Sequence, residues 1–156
     1  MLGLSKETPL LNPDFHDMLF ALCEEKAEFL IVGAYALAVY GHPRATGDID
    51  VWIRRSGDNA KRVWQALRGF GAPLFNLTLG DLQTPDTVFQ IGVEPRRIDI
   101  LTSIAGVEFD EAWPDRKEVE IEGLKIPVIG RSHLLKNKKA LGRPQDLADV
   151  TWLEAN

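Results

Sequence analysis

Three aspartates lie inside otherwise apolar, strand-like segments of the chain. Asp48 and Asp50 alternate with apolar residues in the segment 48–53, and Asp99 stands between two isoleucines in the segment 97–101. Residues two apart in a strand point to the same face, so Asp48 and Asp50 form a carboxylate pair. Such a pair repels itself unless a cation neutralises it or water screens it, and Mg²⁺ prefers oxygen ligands while keeping water or phosphate bound. If the two strands are neighbours, all three carboxylates meet.

Aspartates in such segments also arise without a metal site. Aspartate is common at a solvated strand edge, although it is disfavoured within strands, so three such residues in apolar patterns indicate a functional cause. Hydrolases that form a phosphoaspartate also use an Asp-x-Asp pair, but there we expect Thr or Val where this chain has Trp52. An EF-hand is excluded because the third acid, glycine and terminal glutamate do not follow at loop spacing.

A glycine precedes the carboxylate pair at a predicted strand-to-helix turn. The wholly apolar run 29–32 is typical of a buried strand, Gly33 ends it, and the segment 34–40 is rich in helix formers. Backbone N–H groups at a helix start can hold phosphate, and glycine permits close approach. Many such turns contain glycine for conformational reasons alone. The order of strand, Gly33, short helix and aspartate pair nevertheless favours a phosphate site beside a metal site.

The remaining patterns predict one domain, residues 1–156, of the α/β (α+β) class. We expect a mixed sheet packed by helices, with a C-terminal helix pair. The predicted helices are 13–28 (capped by Asn12), 34–40, 58–70, 132–141 and 144–155. The predicted strands are 29–32, 48–53, 88–92, 97–101, 119–122 and 124–128, whereas 71–87 has no clear pattern.

Composition excludes several classes of protein. Hydrophobic residues make up 45% and charged residues 26% of the 156 residues, which is ordinary for a globular domain. The net charge of −5 argues against a broad DNA or RNA interface, but not against a small basic pocket. The single cysteine excludes an intramolecular disulfide and a multi-cysteine zinc site. The chain shows no signal peptide and no apolar run long enough for a membrane, so we expect a cytoplasmic protein.

The segment from residue 29 to Trp52, followed by the isolated Asp99, resembles the minimal nucleotidyltransferases of the polymerase-beta-like superfamily. Within that superfamily the chain is most similar to small bacterial proteins akin to the abortive-infection toxin nucleotidyltransferases. Their Pro-Arg-x-Thr pattern is matched by residues 43–46, and their C-terminal helical motif is similar to residues 137–149. The resemblance covers about residues 29–153, apart from 71–87.

The resemblance implies a metal-dependent mechanism. Asp48 and Asp50 would ligate two Mg²⁺ ions that hold the triphosphate of an NTP such as ATP. Asp99 would share one metal and help to deprotonate the acceptor hydroxyl. The backbone at Gly33 and Ala34 would contact the terminal phosphates. Such enzymes usually carry Gly-Gly or Gly-Ser there, so Ala34 is a departure that removes a possible hydroxyl contact and leaves the amide.

Three further residues are candidate nucleotide contacts. Arg44 and Thr46 lie just before the aspartate pair and could touch phosphate or acceptor, while a salt bridge that fixes the loop explains Arg44 equally well. Lys138 lies in a run of five basic residues between 131 and 143 and could reach phosphate, although such runs are usually solvated. Asp146 and Asp149 are expected to brace the helix pair through a nearby arginine.

We therefore predict an Mg²⁺-dependent transfer of a nucleoside monophosphate from an NTP to a hydroxyl group of a protein, RNA or small molecule. A toxin–antitoxin or phage-defence system is a natural setting. The alternative is a catalytically silent nucleotide-binding or regulatory protein that acts through a protein partner. Ala34 and the short chain favour that alternative. A cognate partner protein or a second copy in a homodimer would complete the site, and no membrane association is expected.

Overall fold

A six-stranded mixed sheet forms the centre of the protein. The computed structural model describes residues 11–42, 47–93 and 96–156. The strands are β1 (Phe29–Val32), β2 (Ile49–Ile53), β3 (Val88–Ile91), β4 (Ile98–Leu101), β5 (Lys117–Ile121) and β6 (Leu124–Val128). Their order across the sheet is β3-β4-β2-β1-β6-β5. β2 pairs parallel with β4, and β1 pairs antiparallel with β2 and parallel with β6. The mixed sheet expected from the sequence is confirmed.

In the described ranges, α-helices lie before, between and after the strands. They are α1 (Pro13–Glu24), α2 (Gly33–Val39), α3 (Gly57–Phe70), α4 (Phe109–Ala112), α5 (Arg131–Leu141) and α6 (Pro144–Ala155). α1 and α3 pack against each other, α2 packs on β1 and β2, and α5 and α6 form the C-terminal pair. Among the described helices, none is long and apolar enough to cross a bilayer.

The first helix is shorter than predicted. Asn12 caps it, because the side chain accepts a hydrogen bond from the Phe15 amide at 3.0 Å. The predicted end at residue 28 is wrong, since α1 stops at Glu24. Lys26 adopts a left-handed φ of 58°, and the Ala27 amide returns to the Leu22 carbonyl at 3.0 Å. Residues that the sequence pattern assigned to the end of the helix therefore form this closing turn instead.

The sequence patterns did not predict the structure of two segments. The stretch 71–87 is mostly loop with one 3₁₀ turn at Asp81–Gln83, and α4 with a following 3₁₀ turn at Trp113–Asp115 was not predicted. The second segment is held by the stack of Phe109 on Trp113, at 5.5 Å between ring centroids. Both depend on contacts with the rest of the fold rather than on a local hydrophobic period.

The central strands set the position of the carboxylates. All four residues of β1 are buried, and the carboxyl end of β1 meets the amino ends of β2 and β4 because β1 runs opposite to both. Val32, the last residue of β1, stands opposite Asp50. The turn after β1 therefore lies directly beside the aspartates that open β2.

Candidate active site

The three aspartates lie together at one end of the sheet. β2 and β4 are in a register that places Asp50 opposite Asp99, and Asp48 immediately precedes β2. Asp99 is buried, with 7% of its surface exposed, and the Asp48 side chain is 23% exposed. The sequence analysis expected the three carboxylates to meet if the two strands were neighbours. The strands are neighbours in the structure, and the three carboxylates lie close together.

Asp50 shows how crowded these charges are. The pKa of its carboxyl is raised to about 6, chiefly by burial, with further contributions from the charges of Asp99 and Asp48 and a hydrogen bond with Asp99, while Arg97 opposes them. A carboxyl in this environment holds a proton more tightly than in water because burial disfavours its charged form and because the proton also relieves the repulsion. The same deficit of positive charge favours a bound cation.

Gly33 is required by the close approach of Asp50. Its φ of +70° is the left-handed region that side chains rarely adopt. A Cβ at this position would lie 2.3 Å from Oδ2 of Asp50. Glycine therefore serves two purposes here, because it turns the chain from β1 into α2 and leaves room for the carboxylate. The sequence identified the residue but not its contact with Asp50.

Arg97 is a site residue that the sequence reasoning missed. Its guanidinium donates hydrogen bonds from Nε to Oδ1 of Asp99 at 2.8 Å and from Nη2 to Oδ2 of Asp99 at 3.1 Å. Nη2 also lies 3.1 Å from Oδ2 of Asp48. The signal was present in the sequence, since the predicted strand 97–101 sets Arg97 and Asp99 two residues apart and therefore on one face.

The donor set fits a hard divalent cation. Within the described part of the chain, no three acidic, histidine or cysteine side chains are already arranged to hold a metal ion. The Arg97 guanidinium bridges Asp48 and Asp99 in this arrangement. Three converging carboxylates, of which Asp50 has a raised pKa, are the oxygen ligands that Mg²⁺ prefers.

Lys138 belongs to a buried ionic cluster in the helix pair. Its Nζ lies 3.3 Å from Oδ1 of Asp146 and 3.1 Å from Oδ2 of Asp149, and all three side chains are almost fully buried. Arg143 holds Asp146 from the other side through Nε at 2.6 Å. The bracing role expected for the two aspartates is therefore present, and Lys138 takes part in it.

Side-chain contacts join the two C-terminal helices to each other and to the segments that follow β4 and α2. Asn137 of α5 donates to the Ala105 carbonyl at 2.9 Å, just beyond β4. His42 stacks on Trp152 of α6 with the ring centroids 4.4 Å apart. Arg131 also donates to the Leu153 carbonyl and links the two helices. The pair is thereby held over the end of the sheet that carries the aspartates.

All predicted site residues that the structure describes border one cavity of about 570 Å³. They are Gly33, Ala34, Asp48, Asp50, Asp99 and Lys138. Arg97 and Arg143 line the same cavity, so both signs of charge face it. The remaining two candidates, Arg44 and Thr46, lie outside the described residues. A separate cavity of about 380 Å³ between α1 and α3 contains none of these residues.

Three solved structures share this fold. A candidate nucleotidyltransferase from Thermotoga maritima is 18% identical, with a TM-score of 0.59 and 91% of each chain covered. Lincomycin-bound LnuA, a lincosamide antibiotic adenylyltransferase, is 15% identical, with a TM-score of 0.58 over 94% of this chain and 98% of that one. The antibiotic-resistance factor ANT(2'')-Ia is 14% identical, with a TM-score of 0.56 over 91% and 81%.

No family model and no curated protein matches the chain. At such low identity the structural similarity establishes the fold. The chain thus has the fold of the nucleotidyltransferases, as the sequence resemblance implied.

Proposed function

We propose that the protein is a nucleotidyltransferase that moves a nucleoside monophosphate from an NTP to a hydroxyl acceptor with the help of Mg²⁺. The main observation in support of this proposal is that Asp48, Asp50 and Asp99 line one cavity, which basic side chains also line. The fold shared with LnuA and the other two structures supports the same reaction class.

The residues of the cavity have distinct tasks in this proposal. Asp48, Asp50 and Asp99 would hold the divalent cations, which would supply charge stabilisation for the entering and leaving oxygens. Gly33, Ala34 and Lys138 border the part of the cavity assigned to the phosphates. Asp99 orients the acceptor hydroxyl and takes its proton at a carboxylate oxygen. The acceptor oxygen bonds to the α-phosphorus as the bond to pyrophosphate breaks, so atoms and charge balance.

The acceptor is proposed to be a protein, an RNA or a small molecule. LnuA is described as a lincosamide antibiotic adenylyltransferase, which supports including small hydroxyl compounds in any search. A toxin–antitoxin or phage-defence role, a cognate protein partner or homodimer, and a cytoplasmic location remain part of the proposal.

The direct test uses purified protein, each α-labelled NTP, Mg²⁺ and either cell lysate or a panel of compounds that includes lincomycin. Wild-type protein is expected to label an acceptor, and Asp48→Asn and Asp50→Asn are expected to abolish labelling. Absence of transfer with every NTP, or equal labelling by the Asp48→Asn variant, would remove the enzymatic proposal.

A silent nucleotide-binding or regulatory protein is the second candidate. The bridge that Arg97 makes between Asp48 and Asp99 favours it, because the guanidinium neutralises carboxylates that an active enzyme gives to metal. Titration with Mg²⁺ and NTP distinguishes the two candidates. Binding without any transfer supports the regulatory protein, whereas labelled product excludes it.

A further inference from the structure

Arg97 stands at the centre of the carboxylate site, and its backbone and side chain have separable roles. The Ile49 amide donates to the Arg97 carbonyl at 3.0 Å, and the Arg97 amide donates to Oδ1 of Asp48 at 3.3 Å. These two bonds of the Arg97 backbone hold β4 beside β2 independently of the Arg97 side chain. The guanidinium-bearing side chain is 26% exposed and lines the cavity, so its contacts with Asp48 and Asp99 can be exchanged without opening the sheet.

The guanidinium and a divalent cation compete for the same atoms. Arg97 contacts both oxygens of Asp99 and Oδ2 of Asp48. An oxygen that coordinates Mg²⁺ directly cannot keep the same bond to a guanidinium, and arginine does not escape by losing its proton. Metal binding would therefore break these contacts and make the guanidinium available to an anion that enters the cavity.

Among the described residues, the cavity offers few other anions to Arg97. Asp146 is already paired with Arg143 and Lys138, and Asp50 is itself assigned to the metal. The ligand that enters with the metal brings its own negative charge, and the planar guanidinium fork matches the paired oxygens of a phosphate group. A polyphosphate is thus the partner that the chemistry of the site provides.

We propose that Arg97 is an exchangeable internal cation. In the structure it bridges Asp48 and Asp99, and where Mg²⁺ is bound by these carboxylates the guanidinium would contact the polyphosphate chain of the nucleotide instead. This inference rests on the proposed function, because it assigns Arg97 as a positioning residue for the triphosphate. It also explains how one site accommodates three carboxylates both with and without metal.

The first test measures metal binding without nucleotide. Arg97→Gln removes the competing charge, and Arg96→Gln is the matched control because Arg96 is the exposed neighbour. Calorimetry with Mn²⁺ alone is expected to show binding about tenfold tighter for Arg97→Gln than for wild type, the size expected from losing one charged hydrogen-bonded pair. The control is expected to match wild type. A purely structural role for Arg97 would not tighten metal binding.

The second test measures the affinity for a polyphosphate. Binding of inorganic tripolyphosphate in excess Mg²⁺ is expected to weaken about tenfold in Arg97→Gln and to stay unchanged in Arg96→Gln. Should Arg97→Gln fail to fold by circular dichroism, Arg97→Lys replaces it. Lysine lacks the bidentate fork, so the same two shifts are expected with smaller size.

The outcomes separate this inference from the proposed function. Tighter Mn²⁺ binding together with weaker tripolyphosphate binding supports the exchange. Mn²⁺ or tripolyphosphate affinity equal to that of the control overturns it, even if the wild-type protein transfers nucleotide, and then only the inference falls. If neither wild type nor the Arg97 variants bind Mn²⁺, both the inference and the metal-dependent function fall.

Discussion

Because Gly33 contacts Asp50, a substitution at Gly33 can distinguish an effect on the geometry of the site from an effect on the stability of the fold. In Gly33→Ala, the new Cβ would lie 2.3 Å from Oδ2 of Asp50, so the carboxylate must retreat by about 1 Å to reach ordinary contact at 3.4 Å. The left-handed φ of +70° adds about 1–2 kcal/mol of backbone strain. Because the neighbour is the end of a side chain, the clash moves Asp50 rather than the sheet.

Gly123→Ala provides the matched control. Gly123 has a φ of +85° in the β5–β6 turn, and a Cβ there meets nothing within 4 Å. Gly123→Ala should therefore lose about 1–2 kcal/mol in urea denaturation, and Gly33→Ala at least as much because Asp50 must also move. Only Gly33→Ala is expected to lose nucleotidyl transfer and Mn²⁺ binding, with transfer reduced about 100-fold or more by the displaced carboxylate. If Gly33→Ala keeps the activity of the control, the role given to the Gly33–Asp50 contact is refuted.

Three further predictions concern charges. The pKa of Asp50 is raised from 3.8 to about 6, so without added metal the wild-type fold should lose stability as pH rises between these values. Asp50→Asn should therefore add on the order of 1–3 kcal/mol to the free energy of unfolding at about pH 8. At about pH 3 the same substitution should add nothing, because Asp50 is protonated there in both states. For wild type, Mg²⁺ affinity measured by calorimetry should fall as pH drops below about 6, and a constant affinity would contradict this. Lys138→Met should cost about 3–5 kcal/mol in urea denaturation because Asp146 and Asp149 lose a buried ammonium, against less than about 1 kcal/mol for the exposed Lys139→Met.

Local patterns predicted the parts of the fold in which one residue period dominates. The predicted bounds of β1, β6 and α6 agree with the structure, because each has a clear apolar pattern with a glycine or proline nearby. The end of α1 and the segment 109–115 were missed, because a closing turn and an aromatic stack decide them.

The sequence by itself determined that Asp50 and Asp99 belong to strands, that Asp48 lies beside the first of them, and that Gly33 precedes the Asp48–Asp50 pair at a turn. These inferences hold because strand alternation and glycine conformation are local properties. Only the tertiary structure decided that β2 and β4 are parallel neighbours in a register that sets Asp50 opposite Asp99. Strand pairing depends on distant segments of the chain, so no window of sequence contains it.

The role of the charged partners was also decided in three dimensions. From sequence, Lys138 was one member of a basic run and Arg97 was the start of a strand. The fold buries Lys138 between two aspartates and turns the guanidinium of Arg97 onto Asp48 and Asp99. A charge acquires a function through what lies within a few ångströms of it, and that neighbourhood is created by folding.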